Sequence, residues 1–348
     1  MTIIEKIKKV NLVGRGGAGF PTHLKWQAVK NEKEKTKYIL INGAEGEPGI
    51  YKDGYILANY LEEFLGGVKI ADNFIGAEKI YFYLNHKFYD IYKNKINRLA
   101  KKIGIKAKCV FVLKPVDSGY IAGEETTILN IIEGKLVEPR IRPPFPTCSG
   151  LYGKPTLINN IETLYNVYLV SKNKYQSKRF YSVNEGPKNK GVYFLSDDLS
   201  IKQILEETNN YPKYDFFVQI GGDASGEVFN SKQLSKKVDG AGSITIYDYK
   251  KFPAEKLFKY WLGFFRDNSC GNCTPCREGT YRLYEIFENS GMKIKDHPKF
   301  QDLCDNLFLS SFCALGNAVP VAILSYFKNI FPYLSFPRKR ESQRDNLK

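Results

Sequence analysis

Apolar and polar positions change period several times along the chain, and each change predicts an element. Ile3, Ile4, Ile7 and Val10 recur at helical rather than strand-like spacing, predicting a short helix over residues 2–10. Pro21 and Thr22 read as a second helix start, with Leu24, Trp26 and Val29 as its later apolar positions. Tyr38-Ile39-Leu40-Ile41 is a short apolar strand ending at Asn42-Gly43, and residues 55–71 return to helical spacing. Residues 79–84 predict a strand, 89–102 a helix and 108–113 a third strand. Such alternation marks an α/β domain. A further helix runs through Leu129 and Ile132 to a stop at Gly134.

The pattern then changes. Residues 138–155 read as a loop carrying Pro139, Pro143, Pro144, Pro146 and Pro155, and so long a connection inside a compact domain is usually functional. Residues 156–163 read as a helix start. Between about residues 178 and 249, strands at 191–195, 216–220 and 243–247, with a helical piece at 201–207, form a small α+β module. From Ala254 helices dominate, and the polar, basic tail 336–348 reads as disordered. The expected divisions are 1–175, 176–250, 251–335 and the tail 336–348.

Composition narrows the class. With 43% hydrophobic and 26% charged residues the chain is an ordinary globular one, and no apolar run reaches the ~18 residues that span a bilayer. The N-terminus is polar and unlike a signal peptide, so a cytoplasmic location is expected. The formal charge of +15 is scattered over many lysines, and no nucleic-acid module accompanies it; nucleic acid is therefore not expected as a partner.

Three stretches carry candidate chemistry. Gly14-Arg15-Gly16-Gly17-Ala18-Gly19 places four glycines in six residues before the helix start at Pro21-Thr22. Such a loop lets backbone N–H groups approach an anion, which the helix dipole also favours, although an ordinary glycine-rich turn would read the same way. Ala44-Glu45-Gly46-Glu47-Pro48-Gly49 sets two carboxylates beyond the C-terminal end of a strand, where open α/β sheets bind ligands. Glu124 and Glu125 fall near a helix N-terminus, where carboxylates are favoured.

Of seven cysteines, Cys270, Cys273 and Cys276 form a C-x2-C-x2-C triplet. Three thiolates so spaced can hold a corner of a cuboidal [4Fe–4S] cluster, which needs a fourth ligand from elsewhere. Cys313 is the first candidate and Cys304 its competitor. Zinc is the alternative metal, though zinc sites more often pair two separate knuckles. Cys109 and Cys148 read as free thiols, and no catalysis is assigned to His23, His86 or His297.

Laid out in order, these stretches resemble the flavin- and NADH-binding subunit of respiratory complex I, a unit shared by the diaphorase subunits of NAD-linked hydrogenases and formate dehydrogenases. The matching motifs are GRGGAGFPT at 14–22, INGAEGEP at 41–48, AGEETTILNIIEG at 122–134, PRIRPPFPTCSGLYGKPTLINNIETL at 139–164, SCGNCTPCREGT at 269–280 and SFCALG at 311–316. The resemblance implies an α/β and α+β multidomain fold: a Rossmann-like FMN domain, a β-grasp (ubiquitin-like, SLBB) domain and a C-terminal four-helix bundle carrying the cluster.

It also implies roles. Gly14, Gly16, Gly17, Lys25 and Asn42 would hold FMN, together with Tyr120, Gly123, Glu124, Asn159 and Asn160. Phe20, Glu47, Glu125 and Lys154 would shape the NADH site, and Cys270, Cys273, Cys276 and Cys313 would ligate the cluster. Ala44, Gly46 and His23 depart from the aspartate, serine and glycine usual in the family, and Ala28 stands where the NADH site usually has an aromatic. The implied activity is an NADH dehydrogenase: hydride passes from NADH to FMN, and single electrons pass on to the cluster and to partners such as a thioredoxin-like [2Fe–2S] subunit and a larger iron–sulfur subunit. Association with the inner-membrane face would then run through those partners, without direct membrane insertion. The alternative is an FMN- and cluster-binding scaffold subunit that does not oxidise NADH.

Overall fold

The computed structural model describes residues 1–185 and 189–332, so the basic tail at 336–348 lies outside the described residues. Strands β1 (Tyr38–Gly43), β2 (Lys79–Leu84), β3 (Cys109–Leu113) and β4 (Thr156–Asn160) pair in parallel in the order β3-β2-β1-β4. Ile39, Ile41, Ile80, Phe82 and Leu157 enter a core on one face, with apolar residues of the helices Leu61–Ile75 and Ile161–Ser171. Leu40, Tyr81, Tyr83 and Ile158 enter another core on the opposite face, under the helix Glu125–Ile132. Because both faces are covered, the strands are apolar almost throughout.

This parallel, Rossmann-like sheet positions the site. The chain builds β1, β2 and β3 toward one edge and then returns to lay β4 on the other side of β1. The reversal falls between β1 and β4, whose carboxyl ends carry Asn42 opposite Asn160 and Ile41 opposite Asn159. A crevice opens at such a reversal, and ligands bind there.

Three expectations change. Residues 156–160, read above as part of a helix start, are the strand β4; the helix begins at Ile161, capped by the Asn160 side chain accepting from the Glu162 N–H. Pairing with β1 and burial on both faces override the local signal. The helix expected over 55–71 is two helices, Lys52–Asn59 and Leu61–Ile75, separated at the non-helical Tyr60. The proline segment contains a short helix, Pro146–Ser149, and a single turn, Leu151–Gly153.

A second, mixed sheet follows: β5 (Lys178–Asn184), β6 (Gly191–Ser196), β7 (Phe216–Ile220), β8 (Glu227–Asn230) and β9 (Ser243–Asp248), in the order β6-β5-β9-β7-β8. The β5–β9 pair is parallel and the rest antiparallel. The helix Ile201–Glu207 buries Ile201, Ile204 and Leu205 with Val183, Val218 and Ile246 of this sheet. Four C-terminal helices, Ala254–Asn268, Thr274–Ser290, Phe300–Ser310 and Ala314–Asn329, share a core around Phe258, Trp261, Leu283 and Leu307, which also takes in Phe217 and Tyr247 of the second sheet. Among the described residues no helix is long and apolar enough to cross a membrane.

Helices Leu61–Ile75 and Ile161–Ser171 approach so closely that a Cβ at Gly67 would overlap the Leu164 carbonyl. Backbone cannot yield as a side chain can. Gly67→Ala is therefore expected to destabilise the protein by ~1–3 kcal/mol in denaturant unfolding. Gly263→Ala is the control: its Cβ meets only the Tyr284 ring at 3.5 Å, an ordinary contact, and helix propensity predicts a gain of up to ~1 kcal/mol.

Candidate functional site: a cavity between the two sheets, beside the cysteines

The glycine loop is closed by a short antiparallel bridge, Val13 to Pro21, with the Gly14 N–H donating to the Phe20 carbonyl at 2.8 Å and the Thr22 N–H to the Leu12 carbonyl at 3.0 Å. Gly17 and Gly19 have φ values of 112° and 63°, which side-chain-bearing residues rarely adopt. A helix, not a strand, precedes the loop, so this is no ordinary dinucleotide fingerprint. At the start of the following helix the Thr22 hydroxyl is buried without a hydrogen-bond partner. An unused donor beside free helix N–H groups fits an anionic group such as a phosphate.

The loop is tied to the acidic turn by a buried charge cluster. Lys52, 2% exposed, donates to Asp53 at 2.7 Å and Asn160 at 2.9 Å, and pairs with Glu162 at 3.2 Å. Asn160 Nδ2 donates to Asp53 at 2.6 Å. Burial works against the Lys52 charge, but Asp53 and Glu162 outweigh it and hold the ammonium's pKa above its ordinary value. Glu45 accepts from the Asp53 and Gly54 N–H groups at 2.6 and 3.1 Å, at the start of the helix Lys52–Asn59. Burial, and then the Asp53 charge, push the Glu45 carboxyl from its ordinary 4.5 up to about 8. Thr163, next along from Glu162, accepts from the Arg15 N–H at 2.9 Å and so fixes the glycine loop from below.

These parts line one cavity of ≈ 1180 Å³. It exceeds the roughly 300–1,000 Å³ of a single small-molecule pocket, leaving room for two ligands side by side. Gly14, Gly16, Gly17, Lys25 and Asn42 line it, as do Tyr120, Gly123, Glu124, Asn159 and Asn160. Phe20, Glu47 and Glu125 line it too. Several are held by named partners: Trp26 Nε1 donates to Asn159 at 2.9 Å, Asn42 Nδ2 to the Gly123 carbonyl at 2.9 Å, and Lys25 pairs with Glu125 at 2.9 Å. One oxygen of Glu124 caps its helix, accepting from the backbone N–H and hydroxyl groups of Thr126 and Thr127.

Lys154 is the exception. It is not among the lining residues; a turn with Tyr152 at φ 50° leads the chain past the cavity, and Lys154 pairs with Glu34 at 3.0 Å. The basic residue that does line the cavity is Arg142, paired with Glu125 at 3.1 Å, and Phe145 lies near it in the same proline segment. Sequence reasoning marks this segment as functional without singling out either residue. It also passes over Lys52, Asp53 and Glu162, and the second sheet's wall, where Gly221, Ser225, Lys236 and Lys237 line the cavity.

The cysteines adjoin this cavity. Cys273 caps the helix Thr274–Ser290 and Cys313 caps Ala314–Asn329, so two helix N-termini point at the thiol group. That placement favours thiolates and an anionic cluster. Burial raises the pKa of the Cys313 thiol, and the Leu315 and Gly316 N–H groups beside it act in the opposite direction, toward the thiolate. Cys276 faces Cys273, Cys313 and Cys270, whereas Cys304, fully buried, faces Asp305. Three thiols at C-x2-C-x2-C spacing with Cys313 facing them are the donor set that a multi-iron core takes. Ala314 and Leu315, directly after Cys313, line the cavity. Tyr120, between the two, faces both Glu47 and Cys313, and burial raises its hydroxyl pKa far above the ordinary range.

Comparison with known proteins agrees with this chemistry. Residues 7–169 match the Nuo51 FMN-binding domain, and residues 256–333 match the NADH-ubiquinone oxidoreductase-F iron-sulfur binding region. One F-type chain of the NADH-quinone oxidoreductase of Rhizobium meliloti (strain 1021) is 31% identical, over 94% of this chain and 86% of the relative. The corresponding NADH-quinone oxidoreductase chain of Streptomyces coelicolor (strain ATCC BAA-471 / A3(2) / M145) is 30% identical, over 94% and 80%. A crystal structure of NAD+-reducing [NiFe]-hydrogenase in the H2-reduced state superposes with a TM-score of 0.87 at 25% identity, covering 97% of this chain and 63% of the hydrogenase chain. The protein is thus a flavin and iron–sulfur protein, with FMN and a [4Fe–4S] cluster as its cofactors and NADH as its substrate. It belongs to the family of F-type NADH-quinone oxidoreductase subunits.

Two outcomes follow from the geometry. Cys313→Ser is expected to abolish the cluster's visible absorbance and iron content, whereas Cys304→Ser keeps both; loss in the Cys304 variant alone would reverse the assignment. Glu45 binds its proton more tightly when folded than unfolded. Wild-type stability should therefore fall relative to Glu45→Gln as pH rises from about 4.5 to about 8 and level off above, read by thermal unfolding across that range.

Proposed function

We propose that this chain is the NADH-oxidising flavoprotein subunit of a larger electron-transfer assembly. One observation carries the reading: a single cavity is lined by the glycine loop, by the carboxylates Glu47 and Glu125, and by the two residues that follow Cys313. Bound there, a nucleotide, a flavin and a cluster would follow one another in sequence. When bound, FMN supplies the conversion chemistry, taking a hydride from NADH and passing electrons one at a time to the cluster.

The chain's own residues bind and orient. Gly14, Gly16, Gly17 and the Thr22 hydroxyl would cradle the FMN phosphate. Asn42, Gly123, Asn159 and Asn160, backed by Trp26 and Lys52, would hold the rest of the flavin. Lys25 and Tyr120 would flank it, and Glu124 would shape its site through the helix it caps. Phe20 and Phe145, 52% and 54% exposed, offer rings on which a nucleotide base can stack. Glu47 and Glu125 bind rather than move a proton, because hydride transfer needs no acid or base. Within the proline segment Arg142, not Lys154, would meet the nucleotide's phosphates, because it is the basic residue of that segment that lines the cavity.

The reading extends to architecture and partners. The β6-β5-β9-β7-β8 order, with a parallel β5–β9 pair at its centre and one helix across it, supports a β-grasp domain over residues 176–250. Two cores, one centred on the first sheet and one on the C-terminal helices, each also taking in residues of the second sheet, support the divisions 1–175 and 251–335, the latter a four-helix bundle. Exposed Phe308, Leu309 and Phe312, next to Cys313, support electron exit to iron–sulfur partner subunits, such as a thioredoxin-like [2Fe–2S] subunit and a larger one. The chain would then work on the cytoplasmic side, reaching a membrane only through those partners.

Anaerobic purification and absorption spectra with and without NADH test this. Flavin bands that bleach on NADH addition support it. Bands that persist would make the chain a cofactor-binding scaffold, and a colourless zinc protein would sink both readings. Loss of a charge-assisted contact in Arg142→Ala should raise KM for NADH about tenfold or more, with Lys154→Ala unchanged in steady-state kinetics.

A further inference from the structure

The acidic turn does not stand alone. One oxygen of Glu47 accepts three hydrogen bonds from the turn between β7 and β8: the Ala224 N–H at 3.3 Å, the Ser225 N–H at 3.1 Å and the Ser225 hydroxyl at 3.0 Å. The other oxygen, Oε2, is buried without a completed hydrogen bond, although the Tyr120 hydroxyl faces the same carboxylate. Gly222, at φ 139°, approaches so closely that any Cβ there would overlap the Glu47 side chain.

The turn itself is anchored from several sides. The Asp223 N–H donates to the Pro48 carbonyl at 3.0 Å, the Asp223 carbonyl accepts from Trp261 Nε1 at 2.9 Å, and its carboxylate accepts from the Thr245 hydroxyl. The Gly49 carbonyl in turn accepts from Asn184 at 2.6 Å and from Ser243 at 3.0 Å. Gly221, Ser225 and Gly226 line the same cavity as Glu47. A buried carboxylate oxygen left without a donor is costly. Here it is kept in a cavity wall, held from behind by a rigid turn.

We propose that this β7–β8 turn is a working part of the nucleotide site. Ser225 and Gly222 are positioning residues: they fix the Glu47 carboxylate so that its second oxygen accepts from a neutral donor of the nucleotide, a ribose hydroxyl or the carboxamide. The second sheet is then one wall of the substrate site and not only a spacer between the flavin domain and the cluster. The inference rests on the reading of Glu47 as a nucleotide ligand.

The test uses the holoprotein, with steady-state kinetics and equilibrium binding of NAD+, alongside flavin content, cluster absorbance and thermal unfolding. Ser225→Ala removes one of three donors. It is expected to raise KM for NADH and Kd for NAD+ about threefold to tenfold, with kcat within about twofold and both cofactors retained. Ser225→Thr should restore the wild-type values, and Gly222→Ala should exceed the Ser225→Ala effect. If Glu47→Gln weakens nucleotide binding while Ser225→Ala leaves KM and Kd at wild-type values, the positioning role is overturned and the ligand role of Glu47 stands. If Glu47→Gln itself leaves binding unchanged, the reading of Glu47 as a ligand falls, and this inference with it.

Discussion

The site depends on one buried ammonium. Lys52 donates hydrogen bonds to Asp53 and Asn160 and forms an ion pair with Glu162, three residues on different stretches around the carboxyl end of the sheet. Asn160 ends the strand beside the reversal, Glu162 opens the following helix and also accepts from the Phe180 N–H of the second sheet, and Asp53 begins the helix that Glu45 caps. Breaking such a buried set leaves uncompensated charge, at a cost of ~3–5 kcal/mol, so the loop, the turn and the sheet edge hold their relative positions together or not at all.

That constraint explains how so many polar and charged groups can be buried beneath the cavity. Among the carboxylates near it, Asp53 and Glu162 are met by Lys52, Glu45 is kept protonated toward neutral pH, Glu124 is engaged by backbone donors, and Glu125 is paired with Lys25 and Arg142. Little unbalanced negative charge remains beneath a position where an anionic cofactor is to sit. The unpartnered Thr22 hydroxyl, by contrast, lies at the helix start that follows the glycine loop.

Much of this was legible in the chain because the signals are local. The glycine loop, the acidic turn and the cysteine triplet are each written within ten residues, and the SFCALG stretch at 311–316 makes Cys313 the first candidate for the fourth ligand ahead of Cys304. The parts that escaped are made by tertiary contact. Thr156–Asn160 carries no strand signal strong enough to beat the helix that follows, and only pairing with β1 settles it. Lys52 looks like one more surface lysine among many until two carboxylates surround it. Arg142 and Lys154 are both basic residues of one proline-rich segment, and only the path of that segment, turning at Tyr152, decides which of them faces the cavity. The β7–β8 turn has no motif at all; its meaning comes from what lies across from it.

Cys313 is the N-cap of a helix whose first two residues line the flavin cavity. A wall of the cavity and a ligand of the cluster would therefore be adjacent residues at one helix start, so a substitution at Ala314 or Leu315 would be felt on both sides of the electron's step.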